Sequence, residues 1–202
     1  MFKKKMAVAV AADVPVSTVS DPGKTEQFSV WNCIKGYLYI PFAILFICVF
    51  FTKVVLLAFI PTSSMVPTLQ KGDFLICNRL VSPANLERGD IIVFHSNDQG
   101  MELTKRIIGL PGETLTVKNG GVYINGELLD ESEYLDSSVI TAGDGEWTIP
   151  EDAFFTMGDN REYSVDSRFW AAPFVHFSDV MGPRFLQIHI PVISDFLGSN
   201  PY

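Results

Sequence analysis

Three stretches of this chain gather side chains that could do chemistry. The first is Ile60-Pro-Thr-Ser-Ser-Met-Val-Pro-Thr-Leu69, which sets the hydroxyls of Thr62, Ser63 and Ser64 between Pro61 and Pro67. Each proline fixes its own φ and pushes the residue before it toward an extended conformation. The backbone here is therefore a stiff, shaped turn, neither a regular helix nor a central strand. A serine held on such a turn can be a nucleophile, and it can equally be a turn cap. The second stretch is Lys105-Arg-Ile-Ile-Gly-Leu-Pro-Gly-Glu113, a strand that opens on a lysine and ends in a sharp Gly-Leu-Pro-Gly turn. Lys105 beside Ile107, Ile108 and Leu110 can be half-buried, or it can be a gatekeeper charge on an edge strand. Arg106 then points to the opposite face, so that one of the pair faces inward while the other is solvated. The third stretch, Gly158-Asp-Asn-Arg-Glu-Tyr-Ser-Val-Asp-Ser-Arg168, brings Asp159, Asp166, Arg161, Arg168, Ser164 and Ser167 close together. It reads either as a solvated loop with local ion pairs or as a buried polar network bracing a neighbouring site.

The elements that must position these clusters follow from patterning. Residues 37–52 are free of charge, Lys53 interrupts, and residues 54–60 are apolar again. At about 1.5 Å per residue this run is long enough to cross a hydrocarbon core of about 30 Å as a helix. Lys53 lies off centre and can snorkel to the nearer interface, while Tyr37 and Tyr39 sit where an interfacial belt belongs. Residues 1–60 carry six lysines against three acidic residues, whereas 61–202 carry nine basic and twenty acidic ones. Positive flanks stay in the cytoplasm, so the N-terminus is expected inside and residues 61–202 outside. The acidic bulk argues against a nucleic-acid partner. The expected organisation is a cytoplasmic tail over 1–36, a transmembrane helix and membrane-proximal segment over 37–60, and an extracytoplasmic domain over 61–202.

Beyond residue 61 the pattern is one of short strands: 74–77, 90–95, 105–110, 114–118, 122–125, 154–157 and 185–190. They are rich in β-branched and aromatic residues and broken by Gly, Pro and Asn. Asn119-Gly120 and Asn125-Gly126 are hairpin dipeptides. The fold class is thus mainly β: an antiparallel sheet or partly open barrel behind an N-terminal transmembrane helix. Residues 126–150, acidic and rich in small side chains, read as a solvated excursion. Lys3-Lys4-Lys5 and the alanine-rich run to Ala12 faintly resemble a signal peptide; the competing reading is a tail without regular structure. Cys33, Cys48 and Cys77 fall before, within and beyond the apolar segment, so no intramolecular disulfide is expected.

Together the three clusters resemble those of the type I signal peptidases, membrane-bound serine proteases with a Ser/Lys dyad, over roughly residues 40–190. The resemblance implies Ser64 as nucleophile and Lys105 as general base. It implies an oxyanion hole of the Ser64 amide and the Thr62 hydroxyl. Asp166 and Arg168 would form a supporting ion pair, with Ser164 close to the lysine and Asp159 and Arg161 in the same brace. It also implies the substrate: signal peptides of exported preproteins, cut after small residues. The site would lie at the outer face of a lipid bilayer, that of a bacterial plasma (inner) membrane first and an organellar membrane second. Departures are Ser63 where Gly is common, Glu162-Tyr163 in place of Asp-Asn, and Pro183 within Met181-Gly-Pro-Arg184. A serine is a poor nucleophile until a base takes its proton, and a lysine is that base only when neutral. Its pKa, ordinarily about 10.4, must fall by roughly two units or more to serve near pH 8, at a cost of about 3 kcal/mol. Burial supplies such a shift. Lys105 is therefore expected to be buried and within hydrogen-bond reach of Ser64.

Competing readings each have a discriminating feature. A Ser-His-Asp hydrolase would draw on His95, His176 or His189, but no serine stands in a G-x-S-x-G context, and His189 lies in an apolar strand. A self-cleaving Ser/Lys repressor would need a DNA-binding domain where 1–36 is too short. A specialised Ser/Lys processing protease would share the dyad but not the substrate range. A non-enzymatic membrane-anchored β module would tolerate Ala at Ser64 and Lys105. No Cys/His or carboxylate spacing suggests a metal, and no phosphate loop is visible, so no cofactor is expected. Oligomeric state is left open by the sequence.

Overall fold

The computed structural model describes residues 35–191. The alanine-rich run to Ala12 and Cys33 lie outside the described residues. Two compact units divide between Phe42 and Ala43; both sheets belong to the second.

Helix α1 spans Tyr39–Lys53, with no buried residue. At about 1.5 Å per residue its fifteen residues cover roughly 22 Å. Among the described residues no helix is long and apolar enough to cross a membrane. The apolar run over 37–60 is not one continuous helix. The chain leaves α1 at Lys53, and Val55–Phe59 forms strand β1, antiparallel to β2 (Phe74–Asn78) with Val55 opposite Asn78 and Phe59 opposite Phe74. Leu56 and Ala58 pack on the core while Leu57 and Phe59 face outward. The alternation has a strand's period of two, and the ladder offered by β2 settles a segment whose composition suits either state.

The remaining strands are β3 (Ile91–Ser96), β4 (Met101–Gly109), β5 (Thr114–Lys118), β6 (Gly121–Ile124), β7 (Glu127–Leu128), β8 (Gly145–Thr148), β9 (Ala153–Met157), β10 (Phe174–His176) and β11 (Val180–Ile188). Every pairing is antiparallel, as the short-strand pattern implies. A seven-stranded sheet runs β1-β2-β11-β3-β4-β9-β10, and a four-stranded sheet runs β7-β6-β5-β8. Both Asn-Gly dipeptides form the expected two-residue hairpin loops. Asn119 and Asn125 have φ of 51°, and Gly120 and Gly126 have φ of 79° and 90°, the left-handed pair that matches strand twist.

One expectation needs correcting, and one of two alternatives is excluded. Residues 126–150 are not merely a solvated excursion: they contain β7 and β8, bury Thr141 and Ile149, and pack Leu129, Tyr134 and Trp147 on the core around β5. Lys105 is not on an edge, because β4 lies inside the seven-stranded sheet between β3 and β9.

Candidate active site

The Ser64 turn follows β1 directly. Ile60, Met65 and Leu69 are buried in the core between β2, β3 and β11, and the Val66 and Leu69 amides donate to the Ser63 and Met65 carbonyls. Alternating anchors thus fix the turn from below, leaving Thr62 exposed and Ser64 half-buried above it. The two hydroxyls Thr62 Oγ1 and Ser64 Oγ lie 3.4 Å apart. The Ser64 amide has no acceptor among the described residues.

Lys105 is 3% exposed and sits opposite Ile92 on β3. Its Nζ donates to Ser164 Oγ at 2.9 Å. The expected direct bond to Ser64 is not formed: among the described residues the hydroxyl that receives the lysine is that of Ser164. Burial lowers the Lys105 pKa from 10.5 to about 8, against the opposing pull of Asp166 and Asp159 and with help from Arg168. Carboxylates are thus near the amine without touching it.

Gly158 joins the two serines. A Cβ there would collide with both the Ser164 hydroxyl and the Ser64 carbonyl oxygen, so only glycine lets them approach the same spot. The Asn160 amide donates to the Ser64 carbonyl at 3.1 Å, and Asn160 Nδ2 donates to the Ser63 carbonyl at 3.0 Å. The third cluster therefore clasps the first through its backbone.

The brace beneath is buried, as one of the two sequence readings had it. Arg168 donates to Asp166 through Nε at 2.8 Å and Nη2 at 2.9 Å, both side chains fully buried. Asp166 also accepts the Gly158 amide at 2.9 Å. Burial alone would raise the Asp166 pKa; the Arg168 guanidinium and the Gly158 amide outweigh it and hold the carboxyl below its ordinary range. Asp159 and Arg161 do not pair with each other. Asp159 takes a two-pronged bond from Arg106, Nε to Oδ1 at 2.8 Å and Nη2 to Oδ2 at 2.6 Å, plus the Thr68 hydroxyl at 2.5 Å. Arg161 binds both oxygens of Glu131, at 2.9 and 2.5 Å, and its Nε donates to the Gly158 carbonyl at 3.1 Å.

Sequence reasoning missed Arg106 and Glu131. Arg106 was expected to be solvated if Lys105 faced inward, yet both are buried. Its guanidinium is covered by the Tyr134 ring at 4.0 Å, and Tyr134 in turn donates its hydroxyl to Glu131 at 2.9 Å. Nothing local marks Glu131, whose partner lies thirty residues away. Two of the three histidines are engaged elsewhere: His176 faces Asp152 at 3.3 Å, and His189, instead of packing in an apolar strand, lies past the end of β11 with Nδ1 2.6 Å from Asp73.

Comparison with known proteins bears on this geometry. The family model of signal peptidase, peptidase S26, matches residues 30–188. The chain is 40% identical over 114 residues to signal peptidase I U of Bacillus subtilis (strain 168), covering 52% of this chain and 61% of the relative. It is 35% identical over 160 residues to signal peptidase I P of Bacillus subtilis subsp. natto, covering 73% and 83%. A solved signal peptidase I from Enterococcus faecalis V583 shares 34% identity over 49% of this chain and 96% of that one, at a TM-score of 0.43. The chain spans about three fifths of the length of several of the curated relatives it matches. With the family model covering most of the chain, and with all three chemical clusters inside the match, the protein belongs to the signal peptidase, peptidase S26, family.

Proposed function

We propose that this protein is a signal peptidase I, an endopeptidase that removes N-terminal signal peptides from exported preproteins after small residues. The observation that carries the reading is Lys105. It is a buried lysine whose pKa lies near 8, hydrogen-bonded to Ser164 beside the Ser64 turn. Near that pH a substantial fraction is the free amine, the form that accepts a proton.

Ser64 Oγ attacks the scissile carbonyl as Lys105 Nζ takes its proton. A turn of the Ser64 side chain away from Thr62 brings the hydroxyl toward the amine, and Ser164 holds the amine in place. The tetrahedral oxyanion is met by the Ser64 amide and the Thr62 hydroxyl. Lys105, now an ammonium, returns its proton to the leaving amine. In the second half of the reaction it activates the water that hydrolyses the acyl-enzyme. The Asp166–Arg168 and Asp159–Arg106 pairs, with Arg161, keep Gly158 and hence both serines in register. β1 is an edge strand leading straight into Ser64, so an extended peptide can pair with its free edge.

The membrane reading accompanies this one. The apolar run containing α1 is the anchor, with the N-terminus cytoplasmic and the β domain outside. Exposed Leu57 and Phe59 on β1, with Phe185, Leu186 and Ile188 on β11, form an apolar face suited to lipid.

The test is cleavage of a preprotein by detergent-solubilised protein from pH 6 to 10. Ser64→Ala and Lys105→Ala should abolish turnover, and wild-type kcat/KM should rise with pH through an apparent pKa near 8. Thr62→Val should slow acylation by about 10²- to 10³-fold. Full activity in Lys105→Ala would remove the dyad; a wild type inert on several preproteins would remove the activity.

A further inference from the structure

The segment between β7 and β8, acidic and loop-like in sequence, is tied down at both ends. Glu131 grips Arg161 near one end. Near the other, the Thr141 amide donates to the Gly120 carbonyl, and the Ala142 carbonyl accepts from Arg168 at 2.9 Å. Held in this way, the strap still leaves large apolar side chains in solvent: Ile140 is 74% exposed and Val139 is 38% exposed. Together with Val66 and Pro67 of the nucleophile turn and with Asn160, they line a groove of about 640 Å³. Asn160 is the residue that grips the Ser63 and Ser64 carbonyls. The groove is thus one residue away from the reacting hydroxyl.

We propose that this groove receives the preprotein segment on the C-terminal side of the scissile bond, the first residues of the mature protein. This rests on the signal peptidase reading. A signal peptide reaches Ser64 from lipid, along the apolar face of β1 and β11. None of those residues lines the groove. It adjoins Ser64 instead through Val66, two residues on, and through Asn160, which holds the Ser64 carbonyl, and so offers a separate place for the chain beyond the cut. Its charge narrows the occupant further. Asp159 and Arg161 in its lining are already paired with Arg106 and Glu131, so the charges left are those of Asp136 and Glu162, both exposed. The groove therefore favours an apolar residue against Ile140 followed by a basic one, and disfavours an acidic segment.

The experiment compares two peptide substrates with the same signal side. One ends just past the scissile bond; the other extends several residues further, with an apolar residue and then lysine. Wild-type kcat/KM should favour the longer substrate by about tenfold, and glutamate in place of lysine should erase much of that gain. In Ile140→Asp and, separately, Glu162→Lys, both at exposed positions, the long-to-short ratio should fall toward one. A ratio that stays at the wild-type value in both variants, or a wild type that treats the two substrates alike, overturns the proposal. A wild type that cuts neither substrate nor a full preprotein overturns the signal peptidase reading, and this inference with it.

Discussion

Lys105 and Arg106 are neighbours on β4, point to opposite faces, and are both buried, yet the fold treats their charges in opposite ways. Arg106 is met on every side: two prongs on Asp159, a donation to the Gly89 carbonyl at 2.7 Å, and the Tyr134 ring against its plane. Among the described residues, Lys105 is met by one neutral hydroxyl. A guanidinium cannot shed its proton, so burying it requires full pairing. An amine can, so burying it with little compensation shifts its equilibrium toward the neutral base. Equal burial thus gives a permanent structural cation on one face and a titratable base on the other. What separates them is whether a carboxylate is in contact or merely nearby.

That contrast can be broken most severely by exchanging the chemistry of the lysine. Lys105→Arg places a permanent cation in the pocket, and cleavage should fall by more than about 10³-fold at every pH, with no recovery at pH 10. Recovery in alkali would mean that Lys105 is not the base.

The next test reads stability. Arg106→Met leaves Asp159 buried without its cation and should cost about 3–5 kcal/mol. Lys105→Met should do the reverse. The folded-state pKa of about 8 lies below the ordinary 10.5, so the unfolded chain binds the proton more tightly. The penalty is complete below pH 8, shrinks as pH rises from 8 to 10.5, and vanishes above. Removing the amine should therefore stabilise the protein by roughly 3 kcal/mol at pH 7 and by nothing near pH 11. Denaturant melts at the two pH values would decide; equal losses in both variants would erase the distinction between the faces.

The smallest effect sharpens it. Asp166 raises the Lys105 pKa and Arg168 lowers it. Asp166→Asn should move the acidic limb of kcat/KM to lower pH, and Arg168→Met should move it to higher pH, each by up to about one unit. Shifts in the same direction would show that both residues act only by holding geometry.

Much of this contrast was legible before folding, but unevenly. Ser64 between two prolines, Lys105 at the head of an apolar strand and the dense polar run to Arg168 are local features, and their resemblance to a known trio is read from order and spacing. That Lys105 would be buried followed from its chemistry. Its partner did not: the lysine meets Ser164, fifty-nine residues on, because Gly158 brings that hydroxyl and the Ser64 turn to one place. Arg106 looked like the solvated half of an alternating pair because alternation assigns faces, not solvent, and β4 has protein on both of its faces. Glu131 sat in a stretch whose composition is that of a loop, and only its contacts with Arg161 and Tyr134 distinguish it.

The sequence by itself determined what is decided within a few residues: the strands with their alternating side chains, the two Asn-Gly hairpins, the stiffness of the Ser64 turn, and the residue types able to make a dyad. The tertiary structure decided what depends on partners far along the chain. It made Val55–Phe59 a strand because β2 offered a ladder, set β4 inside a sheet, and bound the 131–141 strap to the polar brace. It also fixed the working state of Lys105, since a pKa depends on how much water and which charges surround the amine, and those are supplied by residues that adjoin it only once the chain has folded.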